Sequence, residues 1–224
     1  MEAGFPLTGL ILAGGASSRM GRPKALLPFG PERVIERQVR LLRPLCRELL
    51  VVTNDPAAFA FLGVPLVGDR APGLGPLAGL EAGLSAASQP VVLGLACDMP
   101  LLTGSVVAAL YARLMGSDGG LLGSAPAGVG SPLAAVPRTP AGPEPLCALW
   151  RREALPAIQG ALAAGQRSPQ RLLAQIPVAW LEGEALTALG DPTRLFHNCN
   201  TPADYEQALQ LAEEGSPGGQ TLRS

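Results

Sequence analysis

Two adjacent glycines and several basic side chains lie close together near the start of the chain, within residues 12–24 (Leu-Ala-Gly-Gly-Ala-Ser-Ser-Arg-Met-Gly-Arg-Pro-Lys). Gly14 and Gly15 have no Cβ, so their backbone amides can approach an anion and form an anion-binding nest. Arg19 and Lys24 can add positive charge. Lys24 is the one lysine among 17 lysine and arginine residues, and a compact ammonium suits a point contact with a phosphate oxygen. The pattern predicts a loop that binds a polyphosphate.

The spacing of this glycine loop separates it from two common phosphate-binding motifs. It matches neither G-x-x-x-x-G-K-[ST] nor G-x-G-x-x-G, which excludes a P-loop NTPase and a Rossmann dinucleotide loop. Its place after an apolar strand and before a helix is where open α/β sheets bind ligands. The alternative is a glycine-rich turn between a strand and a helix, with two solvated cations.

A carboxylate follows the most buried-looking strand of the sequence. Residues 91–96 are all apolar or glycine, which predicts a central strand covered on both faces, and Asp98 comes directly after it. One or two carboxylates together with substrate phosphates commonly hold Mg²⁺, so Asp98 is a candidate magnesium ligand. The alternative is an Asp that caps the helix after Pro100 or forms an Asx-turn.

Polar side chains also follow other predicted strands. Asn54 and Asp69 each come just past a short strand and would line the same edge of the sheet as the glycine loop. Asn198 and Asn200 flank Cys199 at alternating strand positions, so both side chains would point to one face. For that pair, amides that brace the turn before the final helix are the alternative.

The segments that must position these residues alternate between apolar runs and stretches of helical period, which is typical of βαβ units around a mainly parallel sheet. The predicted strands are residues 7–13, 48–53, 65–67, 91–96, 120–124, 132–136, 146–150 and 178–181. The predicted helices are residues 32–46, 57–62, 77–87, 104–115, 154–164, 169–175 and 202–214. Residues 137–145 are predicted to be a proline-rich surface turn. We expect one α/β domain over residues 1–214 and a flexible tail over residues 215–224.

Composition and charge exclude several classes of protein. The formal net charge is −1, so a sequence-independent grip on nucleic acid or on an anionic membrane is not expected. The four cysteines are scattered singly, which argues against a zinc site or a disulfide framework and favours the reducing cytoplasm. No apolar run reaches the ~18 residues needed to span a bilayer. His197 is the one histidine, which excludes a two-histidine zinc motif.

Four motifs together resemble those of the molybdenum cofactor guanylyltransferase (MobA) family of nucleotidyltransferases. They are the glycine loop at residues 12–24, Gly-Pro-Leu-Ala-Gly-Leu at 75–80, Cys-Asp-Met-Pro at 97–100 and Asn-Cys-Asn-Thr-Pro at 198–202. The motifs come in the family's order, and the resemblance covers about residues 7–205. It implies a Rossmann-like three-layer sandwich with a mainly parallel central sheet, of the nucleotide-diphospho-sugar-transferase type. It also implies Mg²⁺-dependent transfer of GMP from GTP to a molybdopterin cofactor, with release of pyrophosphate.

The resemblance implies roles for individual residues. Arg19, Lys24 and Asp98 would be catalytic, and Asp98 would bind Mg²⁺. The nucleotide would be bound by Leu12, Ala13, Gly14, Gly15, Lys24, Asn54, Asp69 and Asp98. Base reading by Asp69 is a hypothesis, since a carboxylate can accept hydrogen bonds from guanine N1–H and from its exocyclic amino group. Asn198 and Asn200 would contact the phosphate-bearing acceptor or its metal shell, residues 119–152 would form an acceptor wall, and other molybdenum cofactor biosynthesis proteins would be partners.

Pro23 departs from the pattern of the resembled family. Many of its guanylyltransferases have Asp before the lysine, whereas Arg-Pro-Lys at residues 22–24 and Leu-Leu-Pro at 26–28 resemble the related molybdenum cofactor cytidylyltransferases. A CTP-dependent enzyme is therefore the alternative, although the two adjacent glycines and the Asn-Cys-Asn-Thr-Pro motif favour GTP. A second alternative is a nucleotide-binding module without catalysis. The intact Arg19, Lys24 and Asp98 argue against it, because such a module need not keep a metal ligand.

Overall fold

A mixed β-sheet runs through the protein, whose computed structural model describes residues 4–14, 23–69, 74–116 and 131–214. The strands, in chain order, are β1 (Phe5–Leu12), β2 (Pro28–Phe29), β3 (Glu32–Arg33), β4 (Cys46–Val52), β5 (Leu66–Val67), β6 (Val91–Ala96), β7 (Ala134–Thr139), β8 (Gly142–Pro143), β9 (Cys147–Arg151) and β10 (Val178–Leu181). β2 and β3 form a separate hairpin, and the other strands belong to the sheet. The strand order is β10-β7-β9-β6-β1-β4-β5, and β8 pairs with the end of β7.

Helices connect these strands and cover the sheet. They are α1 (Val34–Leu42), α2 (Pro56–Phe59), α3 (Pro76–Ala86), α4 (Gly104–Met115), α5 (Leu155–Ala163), α6 (Pro169–Leu173), α7 (Glu184–Thr187), α8 (Pro192–Leu195) and α9 (Pro202–Glu214). Among the described residues, no helix is both long and apolar enough to cross a bilayer.

Most neighbouring strands of the sheet run parallel. β1 is parallel to both β4 and β6, β4 is parallel to β5, and β7 is parallel to β10. β9 lies between β6 and β7 and is antiparallel to both. The sheet is therefore mainly parallel, with β9 reversed and the short β8 antiparallel to the end of β7, which agrees with the predicted α/β class.

Alternating side chains of the central strands bury into two separate cores, one on each face of the sheet. Leu7 and Ile11 of β1 pack with α1 and α4, whereas Leu10 and Leu12 pack with α3 and α5. All six residues of β6 are buried, as expected for a central strand covered on both faces. The result is the three-layer sandwich that the sequence predicts.

The predicted helix over residues 32–46 is shorter in the structure, where α1 covers Val34–Leu42. At its start, residues 28–33 form the hairpin of β2 and β3, which turns at Gly30 with a φ of 64°. At its end, Pro44 lacks the amide that a further helical turn requires, and Cys46 already belongs to β4. Local helical period alone could not show that both ends pair with other strands.

The predicted surface turn over residues 137–145 is wrong, because β7 continues to Thr139 and β8 folds back onto it. The buried Thr139 hydroxyl donates to the Gly142 carbonyl at 3.0 Å and accepts from the Ala141 amide at 3.2 Å. These two bonds close the hairpin within a stretch whose prolines suggested an irregular turn.

Other predicted elements have different outcomes. The strand at 91–96, the helix at 104–115, the strand at 178–181 and the helix at 202–214 have their predicted bounds. The one-turn helices α7 and α8 were not predicted. The predicted strand at 120–124 and the tail at 215–224 lie outside the described residues, and the single-domain organisation stays a prediction.

Gly83 allows α3 to pack directly against β1. A Cβ at this position would lie 2.0 Å from Cδ2 and 2.7 Å from Cγ of the fully buried Leu10. Gly160 is the matched case, an exposed glycine within α5 where an added Cβ meets no atom within 4 Å.

We predict opposite effects of alanine at these two helical glycines. Gly83→Ala should lower the free energy of unfolding by about 1–3 kcal/mol, because the overpacked Leu10 must move. Gly160→Ala should raise it by about 0.5–1 kcal/mol through helix propensity. Chemical denaturation measures both, and a Gly83→Ala protein as stable as the unsubstituted chain would contradict the packing described here.

Candidate active site

A cleft opens at the carboxyl ends of β1, β4 and β6. Its volume is about 730 Å³, which suits a small-molecule ligand. Its walls are formed by residues 12–14, 23–25, 52–55, 59, 69, 75, 76, 79, 96–98 and 146. The predicted nucleotide-binding residues within the described part of the chain all line this cleft; they are Leu12, Ala13, Gly14, Lys24, Asn54, Asp69 and Asp98.

The glycine loop leaves β1 directly into the cleft. The Ala13 amide donates to the Val52 carbonyl at 2.9 Å, which holds the first loop residue on the end of β4. Gly14 is exposed, and a Cβ built there would meet no atom within 4 Å, so a ligand can approach its backbone. Gly15 and Arg19 lie outside the described residues, and their roles stay predictions.

The first turn of α3 forms another wall of the cleft, at the start of the motif over residues 75–80. Gly75 precedes the helix with a φ of 83°, a conformation that glycine adopts without steric cost. Pro76 occupies the first helical turn, where its missing amide is no loss. The amides that a helix N-terminus leaves unpaired favour negative charge, so this wall suits phosphate.

The structure brings together Lys24, Asp98 and Asn200, which come from three separate parts of the chain. Lys24 begins a short 3₁₀ helix, Lys24–Leu26. Its Nζ donates to Asn200 Oδ1 at 2.6 Å and lies 3.8 Å from Asp98 Oδ2. The one lysine of the chain therefore places its ammonium between an amide and a carboxylate at the cleft.

Asp98 has the environment of a cation ligand. Burial raises the pKa of Asp98 above its usual value, and the Lys24 ammonium opposes part of that rise. Its Oδ1 is buried and has no hydrogen-bond partner among the described residues. Among all the residues that the structure describes, there is no group of three or more His, Cys, Asp or Glu side chains that could hold a metal ion. Asp98 thus fits a Mg²⁺ whose other ligands include phosphate oxygens, the usual arrangement for this ion.

A capping box at the start of α9 holds Asn200 in place. The Asn200 and Thr201 amides donate to Asp204 Oδ2 at 3.0 and 2.8 Å, and the Asp204 amide donates to Thr201 Oγ1 at 3.2 Å. Reciprocal bonds of this kind close the first turn of a helix. The Cys199 amide donates to the Asp98 carbonyl at 2.9 Å, so the same loop is also tied to the candidate metal ligand.

The predicted strand positions of Asn198 and Asn200 are wrong. Residues 197–200 form a loop without strand pairing. The His197 amide donates to the Arg194 carbonyl, the Cys199 amide to the Asp98 carbonyl and the Asn200 amide to Asp204 Oδ2. Asn200 reaches Lys24, whereas Asn198 Nδ2 donates to the Phe196 carbonyl at 3.1 Å. Asn198 thus braces the turn, as the alternative prediction had it, and its contact with an acceptor stays a prediction.

Asn54 and Asp69 lie next to each other on the wall of the cleft. Asn54 Oδ1 accepts a hydrogen bond from the Asp69 amide at 3.1 Å, which joins the loop after β4 to the loop after β5. The structure therefore brings both residues to the cleft, while their contact with a nucleotide stays a prediction.

Glu144 is an acidic residue near Asp98 that the sequence analysis missed. β6 and β9 pair antiparallel, and their ladder ends with Leu95 opposite Cys147, so Asp98 and Glu144 each lie three residues beyond the end of that pairing. Burial, and to a smaller extent the Asp98 charge, raises the pKa of Glu144 to about 7. The available signal was a lone acid between two prolines, directly before a buried strand.

We predict that Glu144 makes the native state less stable as the pH rises. An unfolded chain loses this proton near pH 4.5, whereas the folded chain keeps it until about pH 7, so its contribution is lost across that window. Glu144→Gln should therefore add about 1 kcal/mol to the free energy of unfolding at pH 8, a value that allows for solvent screening, and almost nothing at pH 4.5. Denaturation at both pH values measures this, with the exposed Glu153→Gln as control, and an equal gain at both would count against the shift.

Comparison with known proteins identifies the family of this chain. Residues 9–180 match the family model of the MobA-like NTP transferase domain. A probable molybdenum cofactor guanylyltransferase from Carboxydothermus hydrogenoformans is 36% identical over 205 residues, which cover 92% of this chain and 96% of that protein. A protein of the same name from Chloroflexus aggregans is 37% identical over 211 residues, which cover 92% of this chain and 95% of that protein.

A solved structure supports the fold. Molybdopterin-guanine dinucleotide biosynthesis protein A from Archaeoglobus fulgidus superposes with a TM-score of 0.75, over 92% of this chain and 99% of that one. At 23% identity this likeness concerns the fold alone, and it confirms the predicted nucleotidyltransferase sandwich. Because the family model spans well over half of the chain and the relatives exceed 30% identity over nearly its whole length, the chain belongs to the family of MobA-like NTP transferases.

Proposed function

We propose that this protein transfers GMP from GTP to the terminal phosphate of a molybdopterin cofactor, in the presence of Mg²⁺, and releases pyrophosphate. The observation that carries the proposal is the meeting of Lys24, Asp98 and Asn200 at a cleft of nucleotide-sized volume. The relatives are named for guanylyl transfer to the molybdenum cofactor, which suggests the transferred group and the acceptor.

The chain's own residues would first hold the triphosphate. The exposed backbone at Gly14 and the first turn of α3 line the cleft, and Lys24 adds an ammonium. Arg19, on the same loop, is proposed to add a second positive charge. These groups would balance the charge of the departing pyrophosphate, which is where negative charge accumulates.

The chemical step is an in-line displacement at phosphorus. An oxygen of the acceptor phosphate forms a bond to the α-phosphorus of GTP, while the bond from that phosphorus to the bridging pyrophosphate oxygen breaks. A phosphate monoester carries a charge of about −1.5 to −2 at pH 7, so no general base is needed. The protein therefore acts mainly by alignment and by charge stabilisation.

Asp98 is the residue proposed to hold Mg²⁺, with phosphate oxygens as further ligands. A bound Mg²⁺ supplies positive charge to the phosphates and helps to align them. Asn200, whose side-chain oxygen accepts a hydrogen bond from Lys24, is proposed to contact the acceptor phosphate.

The identity of the base is the finer part of the proposal. GTP is favoured by the names of the relatives and by Asp69, which lines the cleft beside Asn54 and could accept hydrogen bonds from guanine. CTP is the second candidate, because Pro23, on the cleft wall beside Lys24, matches the cytidylyltransferase pattern.

The setting of the enzyme is also proposed. All four cysteines are free thiols, which supports the cytoplasm, where thiols stay reduced. Other molybdenum cofactor biosynthesis proteins are proposed as partners that deliver the acceptor. A non-catalytic nucleotide-binding module is less well supported, because Lys24 and Asp98 converge on the cleft.

We predict that Asp98→Asn and Lys24→Ala each reduce pyrophosphate release from GTP by about 100- to 1,000-fold, the usual effect of removing a group that stabilises charge in the transition state. The assay uses purified molybdopterin cofactor as acceptor and compares GTP with CTP. Glu182→Gln is the control, because Glu182 pairs with Arg138 at 3.1 Å on the surface. Near-normal rates in either site variant would overturn the assignment, and release from CTP alone would replace GTP by the second candidate.

We predict that Asp69→Asn removes discrimination between GTP and inosine triphosphate. Inosine lacks the 2-amino group but keeps N1–H, so the unsubstituted enzyme should prefer GTP by about 10-fold, as for one hydrogen bond to a charged group. The variant should bind the two nucleotides with similar affinity, because the substitution lowers its affinity for GTP more than its affinity for inosine triphosphate. If affinity for both falls equally, Asp69 does not read the 2-amino group.

A further inference from the structure

Two adjacent residues of α1 bond to the two sides of the Asp98 loop. Gln38 Nε2 donates to the Ala96 carbonyl at 2.9 Å, and Arg37 Nε donates to the Pro100 carbonyl at 2.6 Å. These carbonyls lie two residues before and two residues after Asp98. Both bonds run from a side chain of α1 to the backbone of another segment, so two side chains hold this one loop in place.

The surroundings of Gln38 are unusual for a residue that only fills space. Its side chain is 1% exposed, and its Oε1 is buried without a hydrogen-bond partner among the described residues. An unpaired buried amide oxygen is unfavourable, and an apolar side chain of similar size would avoid that cost. What an apolar side chain could not provide is the hydrogen bond from Gln38 to the Ala96 carbonyl.

Arg37 reaches the loop across a partly exposed surface. Its guanidinium lies over the Phe29 ring at 5.2 Å and 3.6 Å from Glu32. Phe29 and Glu32 belong to the hairpin of β2 and β3. The hairpin therefore orients the Arg37 side chain that bonds to Pro100.

The same helix also supports Lys24. The Val34 amide, at the start of α1, donates to the Leu27 carbonyl at 3.0 Å, and the Leu27 amide donates to the Lys24 carbonyl at 3.1 Å. One helix therefore connects to both residues whose charges meet at the cleft. A shift of α1 would therefore displace the segments that carry both Lys24 and Asp98.

We propose that Arg37 and Gln38 are positioning residues that set the Asp98 carboxylate against Lys24 and against a metal-bound nucleotide. They act through the backbone of residues 96–100 and touch neither substrate nor metal. Supporting residues of a metal ligand typically change metal affinity or activity by about 10- to 100-fold when they are replaced. This inference rests on the proposed function for its kinetic readout. Its Mn²⁺ readout requires only that GTP binds together with a divalent cation, and its hydrogen-exchange readout requires no ligand.

The test compares Arg37→Met and Gln38→Met with Arg43→Gln, an exposed substitution directly after α1. Five quantities are measured on the full chain: kcat and KM for GTP, the Mn²⁺ concentration for half-saturation in the presence of GTP by electron paramagnetic resonance, amide hydrogen exchange at residues 96–99, and the melting temperature. Both methionine variants should lower kcat about 10- to 100-fold and raise the half-saturating Mn²⁺ concentration by a similar factor. KM for GTP and the melting temperature should stay near those of the Arg43→Gln control, and exchange at residues 96–99 should be faster.

Arg37→Lys is the conservative variant, because it keeps a charged donor. It should recover part of the lost kcat and of the Mn²⁺ affinity. If both methionine variants match the control in kcat, Mn²⁺ dependence and exchange, the residues have no positioning role. If melting temperature falls while kcat and Mn²⁺ dependence hold, their role is purely structural and the proposal is wrong.

Failure of the proposed function would look different. The unsubstituted chain would then release no pyrophosphate with the molybdopterin acceptor, and kcat would be lost as a readout. The Mn²⁺ and exchange measurements would still decide the positioning role, because neither depends on which acceptor the enzyme uses.

Discussion

A carboxylate that has lost most of its water needs a cation nearby, and this requirement organises the site. Burial raises the pKa of Asp98, and the Lys24 ammonium at 3.8 Å opposes that rise. A pair of this kind adds little net stability, because desolvation offsets the attraction. What the Lys24–Asp98 pair contributes is position, because it places both charges where they could contact a metal-bound phosphate.

The fold meets this requirement by bringing strand ends together and then fixing each loop separately. Parallel β1, β4 and β6 end at the same edge of the sheet, so the loops that follow them share one cleft. The capping box before α9 fixes Asn200, and α1 bonds to both sides of the Asp98 loop. These bonds fix the positions of loop residues that would move on an open surface. Fixed positions are needed to align two reacting phosphates.

Elements with strong local signals were predictable. β6 is apolar throughout and α9 begins at Pro202, directly after Thr201, and both have their predicted bounds. Elements that depend on distant partners were not. The hairpin at 28–33 shortened the helix predicted over 32–46, and the alternation of Asn198 and Asn200 suggested a strand although no neighbouring strand pairs with them. A period of two is necessary for a strand but does not supply its partner.

The sequence by itself determined the chemistry available to this protein: a glycine loop, a single lysine and an Asp at the tip of a buried strand, in the order typical of one family. Those features depend on residue type and local spacing, which the chain displays directly. The tertiary structure alone decided that Lys24 bonds to Asn200, 176 positions away, that Asn198 bonds to the Phe196 carbonyl instead, and that Glu144 lies near enough to Asp98 for the Asp98 charge to raise its pKa. Such contacts depend on strand order, register and the packing of α1, and these arise from interactions between segments that are distant in the sequence.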